Sequence, residues 1–351
     1  MYIPRPAKLL FQHDDGWSRY LDKHGDALSD WTKLAVERML ACGTCGTCGT
    51  CGTCGTCGTC GTCGTCGTCG TCGTCAMGVR SYCCASPDCT HSRFFCQSCK
   101  SKACSSCGLK ATEQWIAEQQ HILPDCDWQH ITFTMPHLLW PFFNNNWPLL
   151  NDLFRCATRA MLRWARQQGI EVGIFCALHT YGRQLNQHPH IHVSVTRGGL
   201  DVKHSTWCNL FFKKKEVEAI WRNAVVYLLR DNYARINPGA LPGLGHIRNE
   251  DRWYRYLHAQ YRRCWKVHFA KKTRGAWRSV KYLGRYLKRP PVAASQLRHY
   301  RGGAVVHQYY DHRTQQHKRQ KISQEEMLQR YVSHIRGQFG YRKLLYVKVI
   351  F

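Results

Sequence analysis

Between residues 151 and 195 the spacing of apolar positions switches from a helical to a strand period. Leu153, Phe154, Ala157, Met161, Leu162 and Trp164 recur at intervals of three and four, which predicts a helix over 151–168 that Gly169 ends. Val172-Gly-Ile-Phe-Cys-Ala-Leu178 is a short unbroken apolar run, the mark of a buried strand. A polar turn follows over 179–188. From His190 to Val195 the chain alternates, apolar at Ile191, Val193 and Val195. Strands are also predicted at 128–135, stopped by Pro136, at 264–270 and at 303–311, with a return beginning at Thr314. Helices are predicted over 27–40, 111–122, 214–232 and 277–288, the last stopped by Pro290-Pro291. Ser323-Gln-Glu-Glu326 forms a capping box that opens a final helix to Ile335. Strands and helices do not alternate strictly, so the expected class is α+β, an antiparallel sheet with helices on its faces.

Period two puts His190 and His192 on one face of their strand, opposite the aliphatic face of Ile191, Val193 and Val195. Two adjacent imidazoles can hold a divalent cation. For a third ligand, His188 shares their face, whereas His179 lies across the hairpin and is favoured. Downstream, Tyr282-Leu-Gly-Arg-Tyr286 sets two tyrosines four apart on a predicted helix, hence on one face. Taken singly, a histidine pair is more often structural than ligating, and a tyrosine pair is more often split between core and surface. Together they are the equipment for cutting one DNA strand: a phenolate attacks phosphorus, leaving a 5′-phosphotyrosine and a free 3′-OH. Tyr286 is expected to act first, because the Lys288-Arg289 pair favours its phenolate, and Tyr282 second. Lys281, Arg285, Lys288 and Arg289 are the candidate phosphate contacts, although each also fits a solvated helix face.

Charge strengthens this picture. Lys and Arg number 49 against 22 Asp and Glu, a formal net charge of +27. The cations interleave with Trp253, Tyr254, Tyr256, Tyr261, Trp265 and Trp277, a pattern expected of a groove for single-stranded DNA. No run reaches the roughly 18 apolar residues of a membrane span, and the first residues lack the apolar core of a secretory signal. A cytoplasmic location is therefore expected, and in that reducing compartment the 24 cysteines read as metal ligands before disulfides.

The cysteines fall into three groups. From Cys42 the triplet Cys-Gly-Thr repeats 11 times and closes on Cys75, using half of all the cysteines. The tract carries no large apolar residue and no proline, so neither a core nor a collagen helix is expected of it. The second group carries a metal signal: Cys96-Gln-Ser-Cys99 and Cys104-Ser-Ser-Cys107, with Cys83, Cys84, Cys89 and His91 upstream. Thiolate pairs two residues apart chelate tetrahedral zinc. The third group, Cys126, Cys156, Cys176, Cys208 and Cys264, is scattered and fits small buried side chains.

These residues together resemble a known family, the rolling-circle transposases of the insertion-sequence-ninety-one family, which includes the common-region elements. The resemblance is carried by His188-Pro-His-Ile-His192, by the block from Tyr282 to Pro291, by Ile131-Thr-Phe-Thr-Met-Pro136 and by the cysteine block. It covers nearly the whole chain apart from residues 42–75 and the last dozen or so. It implies a two-tyrosine endonuclease of the histidine-hydrophobe-histidine (HUH) superfamily that uses Mg2+ or Mn2+ and acts on single-stranded DNA at element ends and on target DNA. It also implies a Zn2+ domain with ligands among Cys84, Cys89, Cys99, Cys104 and Cys107, completed by Cys42 or Cys75. The expected organisation is a zinc-binding domain over 1–125 interrupted by the repeat, an HUH domain over 126–295 and a C-terminal extension over 296–351. A zinc-finger DNA-binding protein without catalysis is the alternative from another class, and a relaxase or replication initiator the nearer one. The first leaves the histidines and tyrosines idle.

Overall fold

The computed structural model describes residues 6–41, 79–86, 88–96, 99, 101, 103–120, 123–144, 146–288, 291–293, 296–298, 303–311 and 314–335. It divides into two compact units, one drawn from 1–111 and 288–338, the other comprising 112–287. Antiparallel sheets and helices build both, as the α+β expectation required.

The unit over 112–287 is built on a six-stranded antiparallel sheet. Its strands are β3 (Asp127–Phe133), β4 (Ile170–Tyr181), β5 (Gln187–Asp201), β6 (Thr206–Asn209), β7 (Val267–Phe269) and β8 (Thr273–Arg274). The order is β4-β5-β3-β7, with β6 on β5 and β8 on β3. Alternation sorts the two faces. Ile131, Phe133, Ile174, Cys176, Ile191, Val193 and Val195 face one way into the larger core. Helices α5 (Trp147–Gln167), α6 (Lys214–Arg230) and α7 (Glu250–Tyr261) contribute Leu153, Trp164, Trp221 and Trp253 to that core.

Helix α5 shows why the sequence folds here. The Asn146 side chain accepts from Leu149 N–H, a proline sits in the first turn, and Gly169 takes a φ of +74° just beyond the end. Its stripe of Leu153, Phe154, Met161 and Trp164 is almost fully buried, which stabilises the helix by about 2 kcal/mol for each side chain.

The other face of the sheet presents Trp128, Phe175 and Ala177. Against it lie Val280 and Leu283 of α8 (Ala276–Lys288) and Ile116 of α4 (Ser105–Gln120). This is also the face that carries the histidines.

Residues 250–261 depart from expectation. The interleaved cations and aromatics led us to expect a DNA groove, but the segment is a helix capped by Asn249. Trp253 and Leu257 point into the core, and Trp265 is buried just beyond. Burial splits the set, leaving Tyr254 and Trp277 exposed while removing Trp253 and Trp265 from any stacking role.

The second unit contains α1 (Pro6–Gln12), α2 (Gly16–His24), α3 (Asp30–Ala41), the hairpin of β1 (Val79–Cys83) and β2 (Ser92–Cys96), and a three-stranded sheet. That sheet runs β11 (Gln316–Ser323), β10 (Ala304–Asp311), β9 (Leu297–Arg298) and leads into α9 (Gln324–Val332). The segment expected as a C-terminal extension packs on the N-terminal helices. Gln324 Nε2 donates to the carbonyls of Leu10 and His13, and Thr32 Oγ1 donates to that of Ile335. The tyrosine hydroxyl of Tyr331 donates to the Ala103 carbonyl. Ser323 caps α9 by accepting from Glu326 N–H, as its capping box predicts. The repeat and the last residues lie outside the described residues.

Candidate metal and tyrosine site

Strand pairing assembles the histidines. In the β4–β5 ladder His179 stands opposite His190 and Ala177 opposite His192. In the β5–β3 ladder Thr132 stands opposite His192 and His130 opposite Ser194. His179 Nδ1 lies 3.2 Å from His190 Nε2, which lies 3.1 Å from His192 Nε2. One nitrogen from each of the three falls within a 4.8 Å group. A cation bound at about 2.1 Å by neighbouring nitrogens needs them about 3 Å apart along one edge of its coordination shell, so the donors present fit a divalent metal. His188 is not part of the trio: its ring stacks at 4.6 Å on His190 and lies 4.6 Å from Trp140.

Burial keeps His190 and His192 neutral, with lone pairs to offer. Desolvation, helped by neighbouring His188, pushes His190 down to about 3. His192 is held well below the ordinary histidine value by burial and then by His190, His179, His130 and His188. The tautomer of His190 is set locally: its Nδ1–H donates to the His188 carbonyl at 2.6 Å, which turns the Nε2 lone pair toward the cluster.

Helix α8 brings the tyrosine. Val280 and Leu283 anchor it to the sheet, and the opposite side leaves Trp277, Arg278, Lys281 and Tyr282 exposed. The Tyr282 ring packs edge-on at 4.4 Å from His130 and 6.4 Å from His192. Lys281 Nζ lies 5.6 Å from the Trp277 ring. Tyr286, Arg285 and Lys288 belong to the same helix, but their side chains, and Arg289 entirely, lie outside the described residues.

Position 284, between the two tyrosines, is a glycine. The helix needs one, since a Cβ there would lie 2.8 Å from Ile116 Cγ1 and 3.3 Å from Trp115 Cε3.

His130, Thr132 and Ser194 had no place in the sequence reading. His130 Nε2 lies 3.2 Å from His192 Nδ1, and Thr132 Oγ1 lies 3.3 Å from the same atom. The signal was present in β3, because positions 130 and 132 face opposite to Ile131 and Phe133. Using it required knowing that β3 pairs with β5.

Among the cysteines, Cys99, Cys104 and Cys107 converge within 4.8 Å, with Cys99 Sγ 3.4 Å from Cys107 Sγ. Thiolates on zinc at about 2.3 Å stand about 3.8 Å apart, so this trio fits that ion. Cys84 and Cys89 are exposed and stand together, the Cys84 thiol lowered first by the Ser86 backbone N–H and then by Cys89. Cys42 lies outside the described residues.

A histidine trio beside a tyrosine-bearing helix, in a chain that also carries a cysteine cluster, fits the class of DNA-processing transposases. The comparisons agree. Residues 173–342 match a model described as "Putative transposase", and residues 64–135 match a "Transposase zinc-binding domain". The chain is 42% identical over 337 residues to the "Transposase for insertion sequence element IS801" of Pseudomonas savastanoi pv. phaseolicola, covering 95% of this chain and 73% of that protein. It is 28% identical over 274 residues to the "Putative transposase y4qJ" of Sinorhizobium fredii (strain NBRC 101917 / NGR234), covering 75% and 68%. No solved structure matches. The chain belongs to the insertion-sequence-ninety-one family of transposases and carries that family's zinc-binding domain. Among the described residues no helix is long and apolar enough to cross a membrane.

Proposed function

We propose that this transposase nicks single-stranded DNA at the ends of its element through a 5′-phosphotyrosine intermediate and mobilises the element by rolling-circle transposition. What supports this reading is a single observation: the Tyr282 ring lies 6.4 Å from His192, whose Nε2 shares a group with His190 and His179. His179, His190 and His192 hold Mg2+ or Mn2+. That ion, when bound, polarises the scissile phosphate and offsets charge on the leaving 3′ oxygen.

The chain's own residues do the rest. Tyr282 takes the first cleavage and Tyr286, one helical turn on, the second, so the first strand stays attached while the second is cut. This order departs from the one expected from the Lys288-Arg289 pair, and its ground is the Tyr282 ring, 4.4 Å from His130 and 6.4 Å from His192. Lys281, Arg285, Lys288 and Arg289 grip phosphates near the cut, and Cys99, Cys104 and Cys107 carry Zn2+, with Cys84, Cys89 and Cys42 as further candidates. The proposal extends to location, with the protein acting in the cytoplasm.

The test is strand cleavage of a single-stranded oligonucleotide with Mn2+. His190→Ala and His192→Ala should abolish cleavage and leave binding of the oligonucleotide nearly intact, since binding rests on the cations. A double variant that cuts like the parent removes the metal from the mechanism.

A further inference from the structure

We infer that His130 is a positioning residue of this site, holding the His192 ring in its metal-ligating tautomer while its edge seats Tyr282. The inference rests on the metal reading of the trio and deepens it.

The argument follows the protons. If His192 offers the Nε2 lone pair that faces His190, its proton sits on Nδ1 and needs an acceptor. His130 Nε2 at 3.2 Å and Thr132 Oγ1 at 3.3 Å lie within reach. When His130 Nε2 accepts, the proton of His130 sits on its own Nδ1, and that atom is 3.3 Å from Ser194 Oγ. Each nitrogen then has one role, and the chain runs in one direction: His192 Nδ1–H to His130 Nε2, His130 Nδ1–H to Ser194 Oγ. His190 reaches the same end differently, through the carbonyl of His188. Two of the three ligands therefore have their free nitrogen oriented by a partner behind them, the arrangement that raises ligand basicity and fixes ring angle.

Position and burial agree. His130 and Ser194 are opposite each other in the β3–β5 ladder, and they are only 5% and 0% exposed, so neither exchanges these contacts for water. The His130 ring also meets Tyr282 edge-on at 4.4 Å and stacks toward His192 at 5.3 Å. One side chain thus touches both a ligand and a nucleophile. Removing it releases the orientation of His192 and the seat of Tyr282 together.

The experiment titrates the full chain with Mn2+, following free ion by electron paramagnetic resonance, with single-stranded DNA binding as the measure of a folded protein. His130→Phe keeps a ring against Tyr282 but offers no acceptor. It should weaken Mn2+ binding ten- to a hundredfold, the loss typical of an outer-shell partner, with DNA binding unchanged. His130→Gln, whose Oε1 can accept from His192 Nδ1, should recover most of that loss. Thr132→Val should change affinity less than threefold, since the threonine is the second acceptor.

Should His130→Phe fail to fold, Ser194→Ala serves instead. It removes the acceptor behind His130 and should cost a few-fold in Mn2+ affinity. Parental affinity in a folded His130→Phe chain, or in Ser194→Ala where that variant stands in, overturns the role of His130 alone. A parent chain that binds no Mn2+ overturns the metal reading, and this inference with it.

Discussion

Gly284 gives a sharp test of how the tyrosine helix is seated. In the middle of a helix, glycine costs about 1 kcal/mol relative to alanine, so replacement in open space should stabilise the protein by that amount. The structure argues the reverse. An added Cβ would meet Ile116 Cγ1 at 2.8 Å, Ile116 Cδ1 at 3.0 Å and Trp115 Cε3 at 3.3 Å. Ile116 is branched and only 8% exposed, packed with Val280 and Leu283, so it has little room to turn aside. Overpacking of this kind costs about 1–3 kcal/mol. Against the gain in helix propensity, Gly284→Ala should be net destabilising by about 1 kcal/mol. For a unit of this size that lowers the thermal midpoint by about 2–4 °C.

The assay is calorimetry of the parent, Gly284→Ala, Ile116→Val and the double variant. Shortening Ile116 removes the atom at 3.0 Å, so the double variant should recover part of the loss, with a coupling above about 0.5 kcal/mol. The single variant should also nick DNA more slowly, because a displaced α8 carries Tyr282 away from His192. A Gly284→Ala chain more stable than the parent by the full propensity gain would refute the close packing of α4 on α8.

Two other predictions concern the unit that contains the C-terminal sheet. Protein purified under reducing conditions should contain zinc, and Cys104→Ser with Cys107→Ser should release it; metal analysis that finds no zinc in the parent counts against the cluster. His307 is 1% exposed, and burial, then the charge of Arg330, lowers it to about 4. A folded value below the unfolded one of about 6.5 means the unfolded chain binds the extra proton first. Its contribution is therefore intact above pH 6.5 and drains away as pH falls toward 4, by about 3 kcal/mol. His307→Leu should flatten the urea midpoint across that window, and parallel pH profiles for the two proteins would refute the assignment.

Much of the site was legible in local patterns. Period two placed His190 and His192 together and sent Ile191 and Val193 to the core, where they lie. The turn between two apolar runs set His179 opposite His190. What was hidden depended on long-range pairing. His130 reaches His192 only because β3 lies beside β5, more than 50 residues on, and no local period announces that neighbour. The same holds for Gln324, whose amide meets the carbonyl of Leu10 across the length of the chain. Residues 250–261 misled for a different reason. Their composition looked like a DNA surface, while the spacing of Trp253, Leu257 and Gln260 already described a buried helix face.

The chemistry itself is tested most directly by trapping the protein on DNA. Incubated with a single-stranded oligonucleotide of its element end and Mn2+, the parent should form a covalent adduct that survives a denaturing gel. Peptide mapping should find the DNA on Tyr282 after a single cleavage, with Tyr282→Phe losing that adduct and His192→Ala forming none. DNA on Tyr286 alone would reverse the order of the two tyrosines. Strand cleavage with DNA on neither tyrosine would contradict the phosphotyrosine mechanism altogether.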